Sequence, residues 1–330
     1  MIFKIKNADR RMWREIQREI PKDIFDFHTH SFNVESFVYG IPEALKIYLP
    51  CDVKTTMHNL RKAFPGRKLC ALITGWPTKN SDIHRQNECV AFQSEKKNLF
   101  FLALVSPETK ISYIEKFLRK KHCLGLKPYK CFAPAPEEAR ITDFITLEQL
   151  KVANQYGAVV TLHLSKKAGI VDPVNLKDIL TLAEKFPLIT WNLAHCGRSF
   201  VPYYIEKYAS RLEQLKKPGI FFDTGAITDV DVFTYFFSIF GSDKVLFGSD
   251  SPVSFLHGKC VGFGYDWAFI AEETHKITAS FPVSPVLLLY EQVAAMSKAF
   301  KKVRFNAQDR ELIFSKNARR IVKYVTSRKP

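Results

Sequence analysis

Short apolar runs alternate with longer segments of helical period along most of the chain, a rhythm that predicts βα units around a parallel sheet. Eight runs read as strands: Asp23–Phe27, Leu69–Thr74, Phe100–Val105, Cys123–Lys127, Ala158–His163, Ile189–Ala194, Gly219–Asp223 and Lys244–Phe247. Several are apolar without alternation, as expected of strands covered on both faces. Helices are predicted over Ser81–Lys97, Pro107–Lys120, Thr146–Gln155 with Thr146 as N-cap, and Pro173–Lys185 with Asp172 as N-cap. Two more are expected over Thr228–Phe240, closed by Gly241, and Asp309–Val325, laid on the outside of the barrel. The stretches Ser31–Lys68 and Ser251–Pro285 are long, and each follows a strand C-terminus. With no internal repeat or linker, the expectation is a single domain over 1–330. Its fold class would be α/β, a (β/α)8 TIM barrel with its core from about residue 23 to 325 and long loops after strands 1 and 8.

Composition adds limits. A chain of 330 residues that is 46% hydrophobic and 25% charged can bury a large core without structural metals or disulfides. The seven cysteines are scattered, with no C-x-x-C pair, which points to reduced thiols and a cytoplasmic setting. The first twenty residues carry charges throughout rather than an apolar core, so they do not read as a signal peptide. No apolar run approaches membrane-spanning length, so no membrane partner is expected. The net charge of +16 is distributed along the whole chain. Without an arginine-rich arm or an aromatic nucleic-acid motif, it reads as a solvated basic surface or as steering of an anionic substrate. Nucleic acid is the disfavoured partner, and a homo-oligomer is left open.

The candidate chemistry sits where the strands end. In Asp26-Phe27-His28-Thr29-His30, residues i and i+2 of a strand point to one side, so His28 and His30 can converge on a divalent metal. His163 ends the fifth run, His195 the sixth, and Asp250 follows the eighth. A histidine after one strand is unremarkable, but the whole set on one rim of a barrel reads as a metal site. Lys127 ends the fourth run, and Tyr129 and Trp76 follow strands four and two as possible pocket walls. Arg198 reads either as a clamp for an anionic group or as a rim ion pair. Asp223 reads as an orienter of a neighbouring histidine or loop. His58, His84, His122 and His275 read as structural, and His257 could reach the site only if its loop folds over.

These motifs, His28-Thr29-His30, His163, Ala194-His195-Cys196-Gly197 and Gly248-Ser249-Asp250-Ser251-Pro252, with Asn317-Ala318-Arg319-Arg320-Ile321 at the end, resemble those of the amidohydrolase superfamily. The branch they resemble is the "amidohydrolase 2" group of metal-dependent hydrolases and aminocarboxymuconate semialdehyde decarboxylase-like enzymes. The likeness runs from about Asp23 to Val325. It implies that His28, His30 and Asp250 are metal ligands and His163 a further one. His195 would then be a second-metal ligand or a free general acid/base. Lys127 would be a carboxylated, metal-bridging lysine or a cation that holds substrate, with a lysine reaching the surface as the bland reading.

The expected cofactor is one or two divalent ions, zinc first, manganese or iron otherwise. The reaction favoured on these grounds is hydrolysis of an amide, ester or lactone bond in a small anionic molecule, with Asp250 or His195 handling the proton. The alternatives are non-oxidative decarboxylation of an aromatic or unsaturated acid, and a non-catalytic binding barrel.

Overall fold

The computed structural model describes residues 3–97, 99–275 and 277–329. Eight parallel strands follow one another in sequence order: β1 Asp23–His30, β2 Lys68–Thr74, β3 Phe100–Val105, β4 Cys123–Pro128, β5 Val159–Leu162, β6 Thr190–Leu193, β7 Ile220–Asp223 and β8 Val245–Leu246. Backbone bonds from Phe27 N to Phe247 O (2.8 Å), Asp250 N to His28 O (2.8 Å) and His30 N to Ser251 O (2.7 Å) join the last strand region to the first. The sheet therefore closes into the expected TIM barrel, a single α/β domain.

Alternation along the strands divides the core in two. One set of strand residues, including Ile24, Ile73, Phe101, Val160 and Leu193, packs outward under the helices. The other set, Phe25, Phe27, Leu72, Leu102, Leu124, Val159 and Leu246, fills the barrel's interior. Ala318, Ile321 and Val325 of the final helix (Asn317–Thr326) belong to this inner set. That helix is not laid on the outside as predicted. It crosses the N-terminal end of the strands and closes the barrel from below, because its apolar stripe matches the open floor.

Helix starts follow capping chemistry. Thr146 accepts from Gln149 N and Asp172 from Val174 N and Asn175 N, at the predicted positions. Two helices begin later than predicted: Ile83–Lys96 is capped by Asp82, and Val230–Phe240 by Asp229. Ser81 is unavailable as a cap because its hydroxyl donates to Trp76 O at 2.7 Å. The helix expected from Pro107 runs only over Ile111–Leu118, and the expected final helix is broken by a wide turn at Leu312–Lys316.

Both long loops carry structure. Helix Val53–Ala63 lies after β1, and an antiparallel hairpin, β9 Gly258–Phe263 with β10 Asp266–Ala271, lies after β8. Lys276 of that second stretch falls outside the described residues. A further helix, Leu288–Lys302, was not anticipated. Among the described residues no helix is long and apolar enough to cross a membrane.

Candidate metal centre

Simple alternation from the inward Phe25 and Phe27 would turn His28 outward. The register between β1 and β2 instead slips by one residue between Asp26 and Thr29, and this bulge turns His28 and His30 into the barrel mouth. A similar slip opposite Phe101 and Leu102 accompanies the inward Lys127 on β4. In that stretch Gly125 is obligatory, since a Cβ there would lie 1.9 Å from Val159 O. Gly248, before Asp250, leaves room for the His28 side chain; a Cβ would lie 2.7 Å from the Cβ of His28.

The side chains converge. Nε2 of His28 and of His30 lie 3.6 and 3.5 Å from Asp250 Oδ1. The His195 ring is 4.9 Å from that of His28 and 5.0 Å from that of His163. Potential ligand atoms of His28, His30 and Asp250 all lie within 4.8 Å of one another, as do those of His28, His195 and Asp223.

The outer hydrogen bonds set the ring orientations. Nδ1–H of His28 donates to Asp223 Oδ2 (3.0 Å), that of His30 to Gly75 O (3.0 Å) and that of His195 to Gly225 O (2.8 Å). Each bond leaves Nε2 with its lone pair for the shared space, the arrangement a divalent metal requires. His163 is buried enough that its Nδ1 finds no hydrogen-bond partner. The residues present therefore fit one or two divalent ions by donor type, tautomer and convergence.

Asp223 organises this shell. Besides His28 it accepts from Asn192 Nδ2 (2.8 Å), His195 N (3.0 Å) and Gly225 N (3.1 Å). Burial works against its charge, but His28 and His195 hold its carboxyl well below the usual carboxylate range. Burial likewise opposes ionisation of Asp250, yet the charge of His195 and the hydrogen bond from His30 bring it down to about 2. Burial pushes His28 down to about 4, helped by the charge of Lys127. Burial also lowers Lys127, to about 8, against the pull of Asp223 and Asp250.

Asp26, quoted in sequence only as part of its motif, accepts from Ser249 N (2.8 Å) and His28 N (3.2 Å) and so ties β1 to the turn that carries Asp250. Burial lifts its pKa to about 7. The backbone is strained here. Positive φ values occur at His195 (56°), Cys196 (50°), Arg198 (65°) and Asp250 (60°), where side-chain-bearing residues rarely sit.

Above the cluster lies a cavity of about 370 Å³. His30, His163, His195 and Asp250 form its floor, and two groups of aromatic side chains line the rest. Trp76 packs on His30 (5.1 Å) and Tyr48 (5.6 Å); Phe200 packs on His195 (5.2 Å) and on Trp267 of the hairpin (4.0 Å). Tyr129 stacks on His163 at 4.7 Å and also lines the space.

Other predicted residues lie elsewhere. Lys127 is fully buried beneath the cavity, with Nζ 3.1 Å from His28 Nε2. Arg198 forms a rim ion pair, donating to Lys166 O (2.5 Å) and Glu137 Oε2 (3.2 Å), and is absent from the cavity wall. His257 does not reach the site: its Nδ1 meets Glu273 Oε1 (2.7 Å) and its Nε2 meets Asp9 Oδ2 (3.1 Å). His275, read as structural, instead lines the cavity rim. Tyr48, Phe200, Trp267 and Phe269 were missed. The hairpin had a signal, alternating Trp267 and Phe269 beside a turn at Gly264.

Comparison with known proteins agrees with this architecture. No curated protein matches the chain. Several solved structures share the fold. A zinc-bound amidohydrolase from Burkholderia multivorans is 12% identical with a TM-score of 0.60, covering 91% of this chain and 99% of its own. 4-Oxalomesaconate hydratase from Rhodopseudomonas palustris is 16% identical with a TM-score of 0.58, covering 92% and 97%. The 5-carboxyvanillate decarboxylase from Novosphingobium aromaticivorans, complexed with manganese, is 13% identical with a TM-score of 0.54, covering 91% and 96%. The family model described as amidohydrolase matches residues 86–323, most of the chain and the strand ends that carry His163, His195 and Asp250, and the chain belongs to that family.

Proposed function

We propose that this protein is a metal-dependent enzyme that removes CO2 from an aromatic or unsaturated monocarboxylic acid without an oxidant. The observation that carries this reading is the cavity wall: aromatic rings line the space over the His/Asp floor, and among the described residues no lysine or arginine lines it. A planar ring fits between such walls. A substrate with several carboxylates would need cationic partners there, and neither Arg198 nor Lys127 lines the cavity. One carboxylate, directed at the floor, needs only the metal.

His28, His30 and Asp250 would hold the ion, with His163 or His195 as a further ligand. When bound, the ion supplies a Lewis acid that neutralises the substrate's negative oxygens. The remaining work falls to the protein. Asp223 fixes the tautomers of His28 and the backbone of His195. The aromatic walls exclude water and hold the ring in plane. As the C–C bond breaks, its electron pair stays on the ring carbon, which takes a proton while CO2 leaves. His195, beside the ligand cluster, would carry that proton.

Hydrolysis of an ester or lactone on a planar ring is the second reading. It is favoured by the deprotonated state of Asp250, which suits a base better than an acid. The test is to load the protein with zinc or manganese and incubate it with a panel of hydroxylated benzoates labelled at the carboxylate. A parallel panel of aryl lactones is followed by pH-stat. Labelled CO2 release that is lost in Asp250→Asn and reduced about tenfold in kcat/KM by Trp267→Ala supports decarboxylation. Acid release from lactones alone transfers the proposal to hydrolysis.

A further inference from the structure

Along the sequence the excess positive charge looks evenly spread, and the fold brings part of it to one end of the barrel. Helices of a (β/α)8 barrel run antiparallel to the strands, so every helix C-terminus and every strand N-terminus meets at the end opposite the mouth. Last-turn residues Arg61, Lys96, Lys185 and Lys323 fall at that end. So do Lys22, Lys68, Lys121, Lys217 and Lys244, which begin or lead into strands. From Lys316 to Lys329 the chain has six lysines and arginines and no acid. Cations at helix C-termini are expected from the helix dipole alone. That effect does not explain the cations on the strand-leading turns.

The same face is grooved. One hollow of about 430 Å³ is lined by Phe221, Tyr324, Lys244 and Arg320, and a second of about 610 Å³ by Lys217 and Gln214. They share Pro187 and Pro218 and so form one continuous channel. Cations stand over its rings: Lys244 Nζ is 5.2 Å from the Phe221 centroid and the Arg328 guanidinium 4.7 Å from that of Tyr324. Two carboxylates, Asp243 and Glu184, also line the channel, and the charge of Asp243 acts on the neighbouring Lys244. Among the described residues Lys217, Arg320, Lys323 and Arg328 are exposed and have no acidic partner. Of the exposed large hydrophobic side chains, Phe92 lies next to this face, under the Lys96 ammonium at 4.1 Å, while Tyr39, Phe263, Tyr265 and Phe281 lie in other segments.

We propose that this strand-N-terminal face is a docking surface for single-stranded nucleic acid, with phosphates on the Lys/Arg rim and bases in the aromatic, proline-lined channel. An open channel between cationic rims suits a flexible strand. A flat membrane would not enter the channel. Binding there leaves the mouth, at the other end of the barrel, open to substrate.

The test measures binding of a fluorescent 30-nucleotide mixed-sequence RNA to the full chain by anisotropy, with vesicles containing phosphatidylserine run in parallel. If about five phosphates are neutralised, affinity should fall roughly 100-fold between 50 and 200 mM salt. The triple variant Lys244→Glu, Arg320→Glu, Lys323→Glu should lose binding at least tenfold. A control with the same charge change on the mouth side, Lys54→Glu, Lys79→Glu, Lys110→Glu, should keep it. Photocrosslinking of the wild-type protein, which needs no variant to fold, should place RNA on the peptides carrying Phe221 and Tyr324. Equal losses in both triple variants, crosslinks scattered over the molecule, or capture by vesicles without RNA binding would each overturn the proposal.

Discussion

The two ends of this barrel are built from the same strands yet differ in almost every physical respect. At the mouth, charged and polar groups are buried: His28, Asp223 and Lys127 are each 2% exposed or less, and strained backbone carries His195 and Asp250. At the foot, the interior is apolar and the charge lies outside, with Ile321 and Val325 plugging the barrel beneath a cationic surface. Burying several ionisable groups beside one another costs stability unless they are paired or neutralised. The foot has no such burden and can contribute packing. The comparison teaches that one end holds the fold so that the other can hold a costly arrangement of ligands.

The sharpest way to break that comparison is at Asp250. Asp250→Asn keeps the shape of the side chain and removes its charge. CO2 release should drop about a thousandfold, equivalent to about 4 kcal/mol. The thermal midpoint of the metal-free protein should change little, because the partners that hold the charge, His30 and His195, offset the cost of burying it. A lower midpoint with retained activity would mean that the mouth supports the fold instead of depending on it.

The foot should behave in the opposite way. Ile321→Ala removes a side chain that is 4% exposed in the inner cluster, and should cost about 3 kcal/mol in urea unfolding. Metal content per chain and KM should be unchanged. A change in metal affinity would show that the two ends are mechanically coupled.

Legibility in the sequence follows the same division. The cluster of candidate ligands at the strand ends could be read because the signal is local: a polar residue closing an apolar run, with both the run and the residue needed. The two helices capped by Thr146 and Asp172 were also local, since the cap and the first turn are adjacent in sequence. What escaped depends on distant contacts. Arg198 could be read as a clamp or as a rim pair, and only Glu137, sixty-one positions away, decides for the pair. His275 looked structural because nothing nearby says that the hairpin before it folds over the mouth. The final helix has an apolar stripe, but only the closed barrel reveals an open floor for it. The bulge at β1 is likewise invisible without its partner strand.

Asp223 supplies the next, smaller test, since it supports the ligands without closing the cavity. Asp223→Ala unties His28 Nδ1 and the backbone of His195 together, and zinc affinity should weaken about 10- to 100-fold. Titration with a competing chelator measures it. Unchanged affinity would mean that the bonds at Gly75 and Gly225 suffice to hold the remaining rings.

The smallest expected effect joins the two regions through the N-terminal helix, Asn7–Ile16, whose Asp9 reaches the base of the hairpin. His257 is held there between Asp9 and Glu273. Burial opposes its charge, but the hydrogen bonds to Asp9 and Glu273 raise its pKa to about 9, despite the nearby Lys6. Burial also opposes ionisation of both carboxylates, yet the His257 bond keeps each below its usual range. The folded state therefore binds an extra proton between about pH 6.5, the unfolded value, and 9. The ring's contribution is complete below 6.5 and is lost as pH rises through 9. The carboxylates act in the other direction, contributing above their unfolded values near 4 and losing that contribution as pH falls through their lower folded ones. Urea midpoints of the wild type should thus decline between pH 7 and 10 by about 1 kcal/mol more than those of His257→Asn. Parallel curves would mean that the triad is solvated enough to be neutral to folding, and the hairpin would then be fastened chiefly by Trp267 and Phe269 against Phe200.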